Sequence, residues 1–202
     1  MPIVGEPEIR VLLLPGIDNS GPGHWQTHWE RLSACTRVDF GEWTRPLMSQ
    51  WVDALDSAIE RSVGPVVLAA HSLGCLAAAW WARLRWRDAS FGKLRGAMLV
   101  APPDLDTASS ERLRDFRPMP EAPIAFPTIL VASRDDPYAT FERSREMARI
   151  WGSSLVDAGS VGHINAESPV REWPAGLRLL AQLTGHRPNL LVAELGLRAS
   201  LA

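Results

Sequence analysis

Ser72 is the residue of this chain whose surroundings most strongly indicate covalent chemistry. It stands in the segment Ala70-His71-Ser72-Leu73-Gly74, after an apolar run typical of a buried strand and before a helical pattern. A serine at such a strand-turn-helix junction is forced toward unfavourable backbone angles, so the residues two before and two after it must be small. Gly74 fits that pattern, and Ala70 stands where glycine is usual. The segment predicts a nucleophile elbow, the alternative being a serine that only caps the following helix.

A serine hydroxyl needs a base to remove its proton and an acidic group to orient that base. Both residue types occur later in the chain, each after a strand-like run. One run leads into the acidic turn Asp135-Asp136, and a later run leads into the glycine-rich loop 159–165, which holds His163. Because the catalytic groups of parallel sheets gather at the carboxyl ends of the strands, we expect these side chains beside Ser72.

His163 is the predicted base among the five histidines. Imidazole exchanges a proton near neutral pH, which suits a general base. The first two histidines fall in or near the first predicted helix, and the last falls in the C-terminal tail. His71 adjoins Ser72, and on an elbow its side chain points away from that of the serine. His163 alone lies in a glycine-rich loop after a late strand.

Asp136 is the predicted orienting acid, which would accept a hydrogen bond from the His163 ring and fix its tautomer. It directly precedes Pro137 in the turn, the usual register for the acid of such a site. Asp135 remains the alternative, and both aspartates could instead serve only to form the turn.

Backbone N–H groups must hold the negative oxygen that develops during acyl transfer. We expect one from Leu73, directly after the nucleophile, and the other from Ile17, in the loop that follows the first strand. Gly16 allows that loop to turn inward. We also predict that Gly16, His71 and Trp25 contact the substrate, whereas most of the other tryptophans are expected to pack in the core.

The chain around these residues alternates apolar runs with helical patterns, which predicts βαβ units and a mostly parallel sheet of about six strands with helices on both faces. The predicted strands are residues 9–14, 37–40, 65–70, 94–101, 128–133 and 155–157. The predicted helices are residues 25–34, 49–61, 73–86, 141–151 and 170–183, with a short one at 110–116.

Residues 1–202 are expected to form a single domain. Residues 102–127 separate the fourth and fifth predicted strands, which is too few for a folded cap domain. The tail, residues 184–202, matches no expected element, so it is predicted to be either a short helix at 190–197 or partly disordered.

Composition narrows the class of function. The formal net charge is −2, which gives no electrostatic reason to expect nucleic acid or a membrane as partner. No apolar run approaches the ~20 residues that span a bilayer. No secretion signal is seen, and Cys35 and Cys75 lack the spacing of metal ligands, so we expect a cytoplasmic protein. Neither a metal nor a cofactor is expected, because no histidine-cysteine cluster and no phosphate-binding loop occurs.

Four segments taken together carry a resemblance to a known family: residues 14–16 with His24-Trp25 and Trp29, residues 70–74, residues 132–138 and residues 162–165. The chain resembles the small serine hydrolases of the retinoblastoma-binding protein 9 / YdeN type, within the α/β-hydrolase superfamily. The resemblance implies an α/β-hydrolase fold without a cap domain, a Ser-Asp-His triad at Ser72, Asp136 and His163, and hydrolysis of small esters or amides.

The first hypothesis is therefore a serine hydrolase that cleaves small-molecule esters, amides or thioesters through an acyl-enzyme on Ser72. The second is a non-catalytic protein-interaction module that retains the same fold. An acyl-enzyme mechanism serves all carbonyl substrates, so esterase, peptidase and thioesterase activities stay open at this point, as do the natural substrate and the oligomeric state.

Overall fold

The computed structural model describes residues 9–107 and 110–184, and these residues build a six-stranded sheet. Its strands are β1 (Arg10–Leu14), β2 (Cys35–Arg37), β3 (Val66–His71), β4 (Leu94–Val100), β5 (Thr128–Ala132) and β6 (Ser154–Asp157). Every neighbouring pair is parallel, in the order β2-β1-β3-β4-β5-β6. The predicted parallel sheet is thus confirmed, and all the carboxyl ends of its strands lie along one edge.

Helices cover both faces of this sheet, as predicted. They are α1 (Trp25–Trp29), α2 (Met48–Arg61), α3 (Leu73–Leu84), α4 (Phe141–Trp151) and α5 (Pro174–Thr184). Buried side chains of α2, α3 and α4 join one hydrophobic cluster, and those of α1 and α5 join a second cluster on the opposite face. The sheet therefore separates two cores.

The central strand β3 is buried on both sides. Val66, Leu68 and Ala70 face the cluster that contains α3, whereas Val67 and Ala69 face the cluster that contains α1 and α5. Strands covered on both faces read as continuous apolar runs rather than as alternating ones. For this reason the run before Ser72 is recognisable as a strand.

Two predicted elements are shifted or shortened in the structure. Helix α1 ends at Trp29 instead of residue 34. Strand β2 begins at Cys35 instead of residue 37, because the chain already pairs with β1 through the 2.8 Å hydrogen bond from Val11 N to Ala34 O. Val38 and Phe40 are buried and give a strand-like apolar pattern in the sequence, but they follow the last residue of β2.

Helix α5 also begins later than predicted. It starts at Pro174, whose fixed φ and missing N–H suit the first helical position. The preceding Trp173 has φ +50°, which is incompatible with a helix that continues from residue 170.

The connection from β4 to β5 holds no cap domain in its described residues, 101–107 and 110–127. It contains one short 3-10 helix, Glu111–Phe116, close to the predicted short helix. Buried Leu113 and Phe116 anchor that helix on the core, and the Trp80 indole donates a 3.0 Å hydrogen bond to Phe116 O. Among the described residues, this connection therefore adds only loops and one short helix at the carboxyl edge of the sheet.

The predicted tail helix at 190–197 lies outside the described residues. Within residues 9–107 and 110–184, no helix combines the length and the apolar character needed to cross a membrane.

Candidate active site

Ser72 lies in the tight turn between β3 and α3. Its backbone has φ +52° and ψ −124°, a conformation that costs a non-glycine residue free energy and is held here by a 2.9 Å hydrogen bond from Ser72 N to Val100 O. Ser72 occupies the N-cap position of α3, but its side chain makes no capping hydrogen bond. The hydroxyl is therefore free to take a partner outside the helix.

The small residues around Ser72 are required by close backbone approach. A Cβ atom added to Gly74 would lie 2.4 Å from Leu14 O, and one added to Gly16 would lie 2.8 Å from Ser72 Cβ. Such distances are well inside van der Waals contact, so both positions need glycine. Ala70 is fully buried within the sheet, where its methyl group is accommodated.

A continuous hydrogen-bonded chain runs from Ser72 through His163 to Asp136. His163 Nε2 lies 3.0 Å from Ser72 Oγ, and His163 Nδ1 lies 3.0 Å from each carboxylate oxygen of Asp136. The His163 and Asp136 side chains are 8% and 3% exposed, so this pair is shielded from bulk water, whereas Ser72 is partly exposed at the cleft. The three residues come from the turn after β3, the turn after β5 and the loop after β6, as expected for a parallel sheet.

The two neighbouring aspartates have different partners. Asp135 accepts hydrogen bonds from Ser133 Oγ at 2.7 Å and from Gly162 N at 2.8 Å, and these bonds lower the pKa of its carboxyl group. Asp136 faces His163 instead, and its Oδ1 also accepts a 2.9 Å hydrogen bond from Tyr138 N. Asp135 thus fixes the histidine loop, whereas Asp136 contacts the histidine itself.

Trp25 does not line the cleft, contrary to the prediction that it contacts the substrate. Its side chain is fully buried in the cluster with Trp29 and Trp173, and its indole N–H donates a 3.0 Å hydrogen bond to Ile164 O. A large apolar ring is better accommodated in that core than at an open cleft. Trp25 therefore supports the loop that carries His163.

The predicted oxyanion donors lie close to Ser72. Leu73 is the first residue of α3, and a first-turn N–H has no partner within its own helix. Ile17 follows Gly16, whose backbone approaches the Ser72 side chain. One predicted donor therefore lies at the start of α3, directly after Ser72, and the other lies in the loop after β1, next to Gly16.

A cleft of about 680 Å³, here called the Ser72 cleft, opens over these residues. The residues that line it come from the loop after β1, the elbow, the β4–β5 connection, the Asp136 turn and the His163 loop. Its lining residues are Gly16, Ile17, Asp18, Asn19, Gly21, His24, His71, Ser72, Pro103, Thr107, Ser110, Arg112, Leu113, Pro137, Tyr138, His163, Asn165, Ala166 and Glu167.

The lining includes the predicted Gly16 and His71, and it adds groups that sequence reasoning missed. Tyr138 packs edge-on against His163 with ring centroids 4.4 Å apart. His24 and Arg112 reach the cleft from distant segments. The position of Tyr138 two residues after Asp136 was a usable signal. His24 belongs to a segment that carries the family resemblance, but that resemblance implied no role for it, and nothing in the local pattern distinguishes Arg112.

Burial keeps two further histidines of the site neutral. Burial, followed by the positive charge of Arg37, lowers the pKa of His24 to about 3. Burial also lowers the pKa of His71 well below its ordinary value, and its Nε2 donates a 2.9 Å hydrogen bond to His163 O. Burial raises the pKa of the Cys75 thiol, so this cysteine stays protonated behind Ser72.

In the part of the chain that the structure describes, no group of three or more histidine, cysteine or acidic side chains could hold a metal ion.

Comparison with known proteins agrees with this geometry. The sequence model of a protein family, described as Serine hydrolase, matches residues 11–182, which make up most of the chain. The chain belongs to the serine hydrolase family. It is therefore a hydrolase of the α/β-hydrolase superfamily. A search of curated proteins found no match.

Solved structures extend the comparison. A YdeN-like hydrolase from Pectobacterium atrosepticum is 32% identical over 91% of this chain and 92% of its own, with a TM-score of 0.76. The ydeN gene product from B. subtilis is 21% identical over 89% of this chain and 100% of its own, with a TM-score of 0.70. A thermophilic esterase from Thermogutta terrifontis shares the fold at 16% identity, with 89% and 92% coverage and a TM-score of 0.63. The YdeN part of the resemblance is confirmed, and the retinoblastoma-binding protein 9 part stays a prediction.

Proposed function

We propose that this serine hydrolase cleaves small esters through an acyl-enzyme on Ser72, with His163 as general base and Asp136 as the orienting acid. The hydrogen-bonded chain Ser72–His163–Asp136 is the observation that carries the proposal. A non-catalytic interaction module does not require such a hydrogen-bonded chain at an open cleft, so the same observation favours catalysis.

In the acylation step His163 Nε2 takes the proton of Ser72 Oγ while that oxygen bonds to the substrate carbonyl carbon. The carbonyl oxygen becomes negative and accepts hydrogen bonds from the N–H groups of Ile17 and Leu73. When the C–O bond to the alcohol breaks, His163 returns the proton to the leaving oxygen. The Asp136 carboxylate stabilises the imidazolium that exists between these proton transfers.

In the deacylation step a water molecule replaces the alcohol. His163 takes a proton from this water while the water oxygen bonds to the acyl carbon. The bond between that carbon and Ser72 Oγ then breaks, and His163 returns the proton to Ser72 Oγ. The products are one carboxylic acid and one alcohol, and the enzyme returns to its starting state.

A fluorophosphonate probe tests this function whatever the natural substrate is. The reagent phosphonylates activated serines, so the wild-type protein is expected to take up one equivalent, and Ser72→Ala none. Ser160→Ala is the matched control, because Ser160 is exposed in the loop that carries His163. Equal labelling of Ser72→Ala and wild type would refute the proposed nucleophile.

We expect a preference for short acyl chains. The described part of the β4–β5 connection holds no cap domain, and charged Asp18, Arg112 and Glu167 are among the residues that line the Ser72 cleft. Each buried methylene stabilises binding by ~0.8 kcal/mol, whereas an exposed methylene contributes little. The rise of kcat/KM with acyl length should therefore stop at roughly four to six carbons.

A series of p-nitrophenyl esters from acetate to palmitate, below and above the micelle concentration of each ester, measures this preference. A steady rise to long chains with activation at the micelle surface would contradict it, since such behaviour requires a lid that opens.

A further inference from the structure

His24 holds an unused hydrogen-bond donor at the Ser72 cleft. Its ring lines the cleft, and the side chain is only 4% exposed. His24 Nδ1 accepts a 3.1 Å hydrogen bond from Gln26 N, which caps α1. His24 Nε2, at the other end of the ring, is buried and has no hydrogen-bond partner among the described residues.

The hydrogen bond from Gln26 fixes the proton of the ring. An imidazole nitrogen that accepts a hydrogen bond carries no proton, so the neutral His24 ring is protonated on Nε2. Burial keeps the ring neutral at physiological pH by lowering its pKa. Nε2–H is therefore a neutral donor, and a buried donor without a partner costs free energy until one is supplied.

His71 presents the complementary group beside it. The two rings are 4.6 Å apart between centroids and stand edge-on. His71 Nε2 donates to His163 O at 2.9 Å, so the neutral His71 ring carries a lone pair on Nδ1. Two neighbouring residues of the cleft lining thus carry an N–H donor, on His24, and an acceptor nitrogen, on His71.

This pair adjoins His163. The His71 and His163 ring centroids are 4.8 Å apart, and His163 is the residue that protonates the departing alcohol under the proposed function. Among the neutral groups of an ester substrate, a hydroxyl can both accept from His24 and donate to His71 through a single atom. Charged groups fit poorly here, because both imidazoles stay neutral and buried.

We propose that His24 and His71 form a subsite for a second hydroxyl on the alcohol portion of the substrate, so that the enzyme favours esters of glycol-type polyols. This inference rests on the proposed function, since it specifies the leaving group of the same reaction. It assigns His24 a role in specificity rather than in bond cleavage.

The experiment compares kcat/KM for 2-hydroxyethyl butanoate with that for propyl butanoate, in which a methyl group replaces the hydroxyl. The wild-type enzyme is expected to favour the hydroxyethyl ester roughly tenfold, the effect of a net gain in hydrogen bonding. His24→Asn is expected to bring the ratio to about one, because asparagine retains a good helix cap but lacks the distal N–H.

His28→Asn is the matched control. His28 also lies on α1 but does not line the Ser72 cleft, so the ratio should stay at its wild-type value. His24→Gln provides a second test, since its amide N–H reaches farther into the cleft and is expected to restore part of the preference. Circular dichroism establishes that each variant is folded.

A wild-type ratio near one overturns the subsite whatever the variants do, and so does an unchanged ratio in folded His24→Asn. Failure of the proposed function looks different, since neither ester would then be cleaved and the fluorophosphonate probe would not label Ser72.

Discussion

Replacing Ser72 with alanine is expected to lower kcat for p-nitrophenyl butanoate by about 10⁴-fold or more, because the variant lacks the oxygen that forms the proposed acyl-enzyme. Its hydroxyl makes the 3.0 Å contact with His163 Nε2 and makes no capping bond to α3, so the substitution removes the reacting oxygen and leaves the helix start intact. Steady-state kinetics with active-site titration of the wild type gives the comparison.

Ser160→Ala is again the control and should retain kcat within about twofold, as expected for an exposed residue without a structural role. Folding of Ser72→Ala is checked by thermal unfolding, where we expect little loss because the strained φ of +52° is a property of the turn and not of the hydroxyl. Substantial turnover by a folded Ser72→Ala protein would exclude the mechanism.

The second large effect concerns His163 and its acid. His163→Ala is expected to lower kcat nearly as much as Ser72→Ala, since residues that act as a unit lose their function together. Asp136→Asn should lower kcat by about 10³-fold, because an amide cannot stabilise the imidazolium and favours the wrong tautomer. Both carboxylate oxygens of Asp136 lie 3.0 Å from His163 Nδ1, which gives the physical reason.

Asp135→Asn is the matched control for Asp136→Asn. An asparagine oxygen can still accept from Ser133 Oγ and Gly162 N, so the histidine loop stays in place and kcat should fall by less than about tenfold. A larger loss in Asp135→Asn than in Asp136→Asn would assign the acid to Asp135 instead.

Sequence patterns could locate Ser72, His163 and the acidic turn because each depends on local chemistry. The strained turn permits only small neighbours, and Gly74 would clash with Leu14 O at 2.4 Å if it carried a Cβ. The strands of a parallel sheet buried on both faces are continuous apolar runs, so β3, β4 and β5 could be recognised with errors of one residue at their ends.

Features that depend on distant contacts could not be predicted in this way. Trp25 packs with Trp173 and donates a hydrogen bond to Ile164 O, and both partners are far from it in the sequence. The choice between Asp135 and Asp136 likewise depends on which carboxylate faces His163 from another loop. His24 could be noticed in the sequence only as part of the family resemblance. Its proposed role depends on a buried nitrogen without a hydrogen-bond partner among the described residues, in a ring that packs beside His71.

The acyl-enzyme itself provides the decisive measurement. The wild-type protein is mixed with p-nitrophenyl butanoate, quenched in acid within the first turnover, digested and analysed by mass spectrometry. We expect the butanoyl group on the peptide that contains Ser72, and no such adduct in Ser72→Ala. An adduct on a different residue, or rapid turnover without any acylated peptide, would contradict the proposed mechanism.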